Sequence, residues 1–200
     1  MNAKKYLADL TAGGLLLAET RPIANLLLSE CTETIWQHEI VDRNILQKKS
    51  EQTALRYART IKRRIEPLGS LFWQDLIEAH DALYRQLLLL AVLLHAPAIA
   101  DFMREVLSEC YRVYLPSLKP DAWESFIEPK YRVIDGLTEM TENTIQKSGV
   151  NVIRMLVEAG YLNNNRARKI QPVYLLSETR RWLVSLVRED LEAVMECTVK

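Results

Sequence analysis

The sequence predicts a mostly α-helical fold: a compact helical bundle with a helix-turn-helix-like N-terminal part and one small C-terminal β-hairpin. Leucine is the commonest residue, and 48% of the 200 residues are hydrophobic, which is enough for a substantial core. Only six Gly and seven Pro interrupt the chain, and apolar residues recur at helical spacing over most of it. This length suits one domain or two small ones.

Each predicted helix is bounded by a capping residue, a proline or a glycine. In chain order they are two short helices within residues 6–30 broken near Pro22, a helix capped by Thr32, a helix over 51–66 capped by Ser50, a long helix over 70–95, a helix from Pro97 to about residue 115, a short helix over 121–128, a helix over 138–159 followed by Gly160, and a final helix capped by Ser177.

The β-hairpin is predicted from residues 161–176, YLNNNRARKIQPVYLL. Its three asparagines favour a turn, and apolar residues flank that turn on both sides. The chain then has three predicted parts: an N-terminal helical part with a basic helix (1–69), a central helical core (70–136) and a winged-helix-like part (137–200). Together they can form one compact domain.

Cysteine usage and hydropathy predict a reduced, cytoplasmic protein. Cys31, Cys110 and Cys197 are far apart, and neither a Cys-x-x-Cys pair nor a secretory apolar segment is present. The longest apolar run, Leu87–Leu94, spans about 12 Å as a helix, against a hydrocarbon core of about 30 Å. We therefore expect a core helix there and no membrane span.

Charge is strongly segregated in a chain whose 26 basic and 26 acidic residues cancel. Residues 43–64 hold eight cations and one acid, Glu51. On the predicted helix Arg56, Arg59 and Arg63 share one face with Gln52, opposite an apolar stripe. Like charges at this spacing cost a few tenths of a kcal/mol, a cost that an anionic partner would offset. A solvated face or an acidic protein partner remains the alternative.

A second basic cluster lies in the predicted hairpin and consists of Arg166, Arg168 and Lys169. A basic hairpin beside a helix is typical of a winged helix that contacts the DNA backbone, although charge can also simply keep an exposed hairpin soluble. Arg180 and Arg181 open the final helix, where the helix dipole disfavours cations. That position also suggests an external anion.

Acidic residues are concentrated elsewhere, in segments 30–42, 66–81 and 121–142, which could orient the molecule on a duplex or dock basic partners.

Catalytic patterns are lacking. No phosphate-binding glycine loop occurs, and the three histidines lack metal-ligand spacing. We expect no enzyme activity, no metal and no cofactor.

Three segments resemble the BrxA family, a small helical component of bacterial BREX phage-defence systems. They are YLADLTAGGLLLAETRPIANLLLSE, NILQKKSEQTALRYARTIKRRIEPLG and MLVEAGYLNNNRARKIQPVYL. The resemblance implies a NusB-like, nucleic-acid-binding protein that works beside a methyltransferase, ATPases and a phosphatase-like protein. It transfers no catalytic residue.

The sequence therefore predicts a non-catalytic accessory protein that binds double-stranded DNA. The predicted contact residues are Lys48, Lys49, Gln52, Arg56, Arg59, Lys62 and Arg63 on the basic helix and Arg166, Arg168 and Lys169 on the hairpin. Most would position the protein on phosphates, and base readout would come from Gln52, Arg56 or Arg59. A protein–protein adaptor that scaffolds other defence components and an RNA-binding protein remain alternatives.

Overall fold

A computed structural model describes residues 1–198, and the secondary structure of these residues is helical. The α-helices are α1 (Ala3–Leu7), α2 (Leu17–Leu28), α3 (Glu33–Gln37), α4 (Glu51–Ile65), α5 (Ser70–Glu78), α6 (Asp81–His95), α7 (Pro97–Phe102), α8 (Ser108–Arg112), α9 (Ala122–Ile127), α10 (Glu142–Glu158), α11 (Ser177–Ser185) and α12 (Glu192–Met195). A π-helical turn, His38–Asp42, extends α3, and another, Met103–Leu107, joins α7 to α8.

The described chain falls into two compact units whose boundaries differ from the three predicted parts. One unit consists of Met1–Gly14 together with residues 92–198, and the other of Leu15–Ala91. The division lies inside α6, whose central residues 87–93 are buried, as expected for the apolar run of the sequence.

The larger unit has an aromatic centre where α7 meets α9. The rings of Phe102, Trp123 and Phe126 lie 5.3–5.7 Å apart, in the tilted and edge-on arrangements that aromatic quadrupoles favour. The Trp123 indole N–H donates to the carbonyl of Ile145 on α10 at 2.9 Å. The same indole lies against Gly149, where a side chain would collide with it. This contact joins α9 to α10.

The smaller unit packs α2 against α4 and α5. On α4 the buried residues Ala54, Ala58, Ile61 and Ile65 form the stripe that the helical period predicts. Arg21 of α2 donates to the carbonyl of Leu76 at the end of α5, which ties these two helices together.

Several predicted helix boundaries are wrong. Helix α2 begins at Leu17 and continues through Pro22, which therefore stands in its second turn and not at a break. The long helix predicted over 70–95 breaks after α5 because Ala79 is extended (φ −57°, ψ 135°). The final helix likewise breaks after α11, where Val187 adopts a left-handed conformation (φ 53°).

The predicted β-hairpin is also wrong, because no β-strand occurs in residues 1–198. Its two sides meet in one isolated antiparallel bridge between Leu162 and Ile170, and a second bridge joins Lys169 to Ser117. Asparagine side chains and a left-handed Arg168 (φ 49°) hold the segment as a compact loop and interrupt the extended backbone that a strand needs.

No single helix in the described part of the chain is long and apolar enough to cross a membrane. Taken together, α6 and residues 97–112 would be long and apolar enough, but they form a bent pair and not one straight helix.

Candidate nucleic-acid interface

The predicted basic helix is α4, and its local sequence explains why it starts where it does. Ser50 is its N-cap: the backbone is extended, and the hydroxyl oxygen accepts from the Thr53 N–H at 3.3 Å. Glu51 in the first turn and Lys62, Arg63 and Arg64 in the last turn complement the helix dipole. The helix therefore begins and ends near the predicted residues.

The connection before α4 is longer than a tight turn. Residues 43–50 link it to the π-helical turn that extends α3, and Asn44 and Gln47 are both left-handed (φ 46° and 51°). The Asn44 side chain accepts from the Lys48 N–H and donates to the Lys48 carbonyl, both at 2.9 Å. Leu46 is buried beneath this loop. The two helices keep the helix-turn-helix order, with a larger loop than the short turn of the DNA-binding motif.

One face of α4 carries solvent-exposed side chains of a single sign. Gln52, Arg56, Arg59 and Arg63 are exposed, as predicted, and they line an open groove of about 480 Å³ along the helix. Among residues 1–198, no acidic side chain pairs with any of these three arginines. Arg56 lies 5.4 Å from the Tyr57 ring, and Arg63 donates to the Arg59 carbonyl at 3.3 Å. The guanidinium groups thus keep most of their hydrogen-bonding capacity for an external anion.

Four other cations of this segment have internal contacts, and the first of them, Arg43, pairs with Glu39 at 2.9 Å. Lys48 is partly buried and forms an ion pair with Glu19 of α2. Lys62 lies 3.7 Å from the Glu66 carboxylate and 4.9 Å from the Trp36 ring. Arg64, which the sequence counts among the local cations, is buried. Lys49, in contrast, is exposed. The available positive charge is therefore concentrated on Arg56, Arg59, Arg63 and Lys49.

The second basic cluster lies on a loop that asparagine side chains organise. The Asn164 carbonyl oxygen accepts from the N–H groups of Arg166 and Ala167, at 2.9 and 2.7 Å. The Asn163 oxygen accepts from the Lys169 N–H at 2.8 Å. Backbone N–H groups of the turn therefore have hydrogen-bond acceptors within the loop itself, as in Asx turns.

The three cations of this loop differ in availability. Arg166 and Lys169 are exposed. Arg168 donates to the carbonyls of Lys119 and Pro120, at 3.2 and 2.8 Å, and is only partly exposed. Its Nε and Nη1 groups fasten the loop to Asn165 and to the neighbouring segment, which leaves the Nη2 donors for a phosphate.

Arg180 has an internal explanation as well. It forms ion pairs with Glu192, at 3.0 Å, and with Glu196, and its hydrogen bonds to these carboxylates, Glu192 foremost, raise the pKa of the guanidinium. These acids follow 12 and 16 residues later and were not identified from the sequence. The position of Arg180 at a helix start therefore needs no external anion.

The two basic clusters belong to different units, α4 to the smaller and the loop to the larger. No group of three or more His, Cys, Asp or Glu side chains suited to a metal ion occurs within residues 1–198.

Comparison with known proteins gives a consistent result. The model of the BrxA family matches residues 4–186. The chain is 38% identical over 195 residues to the BREX protein BrxA of Escherichia coli O9:H4 (strain HS), covering 98% of this chain and 92% of that protein. It is 31% identical to the BREX protein BrxA of Paramagnetospirillum magneticum (strain ATCC 700264 / AMB-1), covering 98% of both. A crystal structure of an uncharacterized protein from Magnetospirillum magneticum is 27% identical, with a TM-score of 0.84 over 97% of this chain and 100% of that one.

Proposed function

Because this chain belongs to the BrxA family, we propose that it acts in a BREX phage-defence system as a non-catalytic accessory protein that binds double-stranded DNA. Its relatives are named as BREX proteins, so the other components of such a system are its expected partners. These are the methyltransferase, ATPases and phosphatase-like protein that the family resemblance implies.

The exposed arginine face of α4 is the single observation that carries the DNA proposal. Arg56, Arg59 and Arg63 stand at i, i+3 and i+7 and repel one another without an internal counter-charge among the described residues. They extend over about 10 Å of helix, a length that fits along the major groove of a duplex. Phosphate contacts would offset this mutual repulsion. The counterions released from the duplex would further favour binding.

Each remaining candidate residue takes a role that follows from its surroundings. Lys49 is a further phosphate contact, because it is exposed beside the start of α4. Gln52, on the exposed first turn, is a candidate for base readout. Lys48 and Lys62 chiefly support the helix through their own ion pairs and contribute less to DNA. On the loop, Arg166 and Lys169 are the second contact, and Arg168 positions them.

The direct test is fluorescence anisotropy with a labelled duplex, comparing the wild type with the triple variant R56A/R59A/R63A. A matched control, K4A/R132A/K147A, removes three exposed cations that have no acidic partner among residues 1–198. We expect the α4 variant to bind at least about tenfold more weakly, since each lost phosphate contact removes a favourable charge interaction. We expect the control to change affinity much less.

Two outcomes would contradict the proposal. Equal losses in both variants would show nonspecific attraction to net charge and not a surface on α4. Absence of duplex binding at low salt would refute the DNA proposal altogether. Tighter binding to an RNA of the same length would favour the RNA alternative, and a partner protein retained after nuclease treatment, without nucleic-acid affinity, would favour the adaptor.

A further inference from the structure

A groove with an apolar floor and an acidic rim lies in the larger unit, and none of its lining residues is among those assigned to DNA. It runs between α9, with the 3-10 helix Glu128–Arg132 that follows, and the start of α10, and it encloses about 660 Å³. Of the side chains that line it in the described chain, four are carboxylates and none is Lys or Arg. We call it the acidic groove.

The carboxylates of the acidic groove repel one another. Asp121, Glu124 and Glu128 stand at i, i+3 and i+7 on one side, and Glu142 faces them from the first turn of α10. Asp121 accepts from the Ser125 hydroxyl at 3.3 Å and Glu142 from the Gln146 amide at 2.9 Å.

No cation within residues 1–198 pairs with these carboxylates. The nearest lysine in sequence, Lys130, pairs instead with Glu105. Like charges at helical spacing are unfavourable, and an external cation would offset this repulsion.

The floor of the groove is apolar and fixed in place. Ile127 and Ile145 are nearly buried, while Met140 and Tyr131 are partly exposed beside them. The helices α9 and α10 that form the two walls are held in place relative to each other. The Trp123 indole of α9 donates to the Ile145 carbonyl of α10 and fills the space next to Gly149. A preformed apolar floor with a charged rim is the surface that receives an amphipathic segment of another protein.

We propose that the acidic groove docks a basic amphipathic segment of a partner protein, with one or two apolar side chains on the floor and Lys or Arg against the carboxylates. Its charge excludes a nucleic-acid backbone, because phosphates would meet four carboxylates.

A second copy of this chain is a poorer occupant. The basic face of α4 presents arginines, while the apolar residues of that helix, Ala54, Ala58, Ile61 and Ile65, are buried. That face offers no apolar anchor for the floor. A partner protein with both features fits better, and this inference stands independently of the DNA proposal.

The test uses a capped helical peptide of Lys, Leu and Ala, with leucines at i, i+3 and i+7, titrated into the full-length protein. We expect the variant E124Q/E128Q/E142Q to bind this peptide about tenfold more weakly than the wild type. The matched control E30Q/E78Q/E189Q neutralises three exposed glutamates outside the groove and should bind as the wild type does. Thermal unfolding checks that both variants are folded.

Three results would overturn the proposal. The first is equal peptide affinity for the wild type and the groove variant. The second is undiminished binding of a charge-matched peptide with serine at each leucine position, which would show that the apolar floor has no role. The third is concentration-dependent association of the wild type alone that the groove variant abolishes, since the occupant would then be a second copy.

Discussion

Replacing Gly149 with alanine should destabilise the protein, although alanine is normally the better helix residue. Alanine in a helix interior gains about 1 kcal/mol over glycine through its higher intrinsic propensity. At this position, however, the added Cβ would lie within 2.9 Å of the Cδ1, Cγ and Nε1 atoms of Trp123. That indole is 2% exposed and is held by its bond to the Ile145 carbonyl, so it cannot swing into solvent freely.

The magnitude follows from three contributions. Overpacking of a close-packed site costs about 1–3 kcal/mol. Displacing the indole N–H from its acceptor costs about 1 kcal/mol more. After the propensity gain of about 1 kcal/mol is subtracted, the free energy of unfolding should fall by about 1–3 kcal/mol for G149A. Urea denaturation followed by far-UV circular dichroism measures this change.

Two further variants separate the collision from a general effect on α10. Val150 is exposed beside Gly149, so V150A should change stability by no more than about 0.5 kcal/mol. In a Trp123→Leu background the added methyl group has room, so the cost of G149A should largely disappear there. A G149A protein as stable as the wild type would refute the account of the α9–α10 contact.

Other predictions concern single residues. N164A should lower the free energy of unfolding by about 1 kcal/mol, because two loop N–H groups lose the side-chain oxygen to which they donate. Hydrogen exchange should show that these two amides exchange faster than in the wild type. K48A should lower stability and reduce duplex affinity less than R59A does, because Lys48 pairs with Glu19; equal affinity losses in anisotropy would contradict this. Burial raises the pKa of the Cys197 thiol to about 12, so at pH 8 it stays protonated, and a thiol reagent should modify Cys31 well before it.

The features that were predicted best from the sequence are those that depend on one helix alone. The apolar stripe and the arginine face of α4 follow from a period of 3.6 residues, and the structure buries and exposes those residues as expected. Ser50 and Gly160 also mark helix ends correctly, since N-cap hydrogen bonding and a left-handed backbone (φ 90° at Gly160) are local properties.

Contacts between distant residues account for much of what the sequence did not predict. Lys48 is neutralised by a glutamate 29 positions away, which the local charge count could not include. Likewise, Arg168 bonds to carbonyls 48 and 49 positions earlier, and asparagine side chains replace ladder hydrogen bonds in a segment whose composition suits a hairpin. Distant partners therefore decided which cations of the two clusters are available, whereas local asparagine hydrogen bonds set the shape of the second cluster.

The most direct test of the central claim is the salt dependence of duplex binding. Log affinity should fall with log salt concentration by about 0.9 per phosphate neutralised. If Arg56, Arg59 and Arg63 each contact phosphate, the slope for R56A/R59A/R63A should be shallower than that of the wild type by about two to three units. Parallel slopes for the two proteins would show that these arginines neutralise no phosphates, and α4 would then not be the DNA-binding surface.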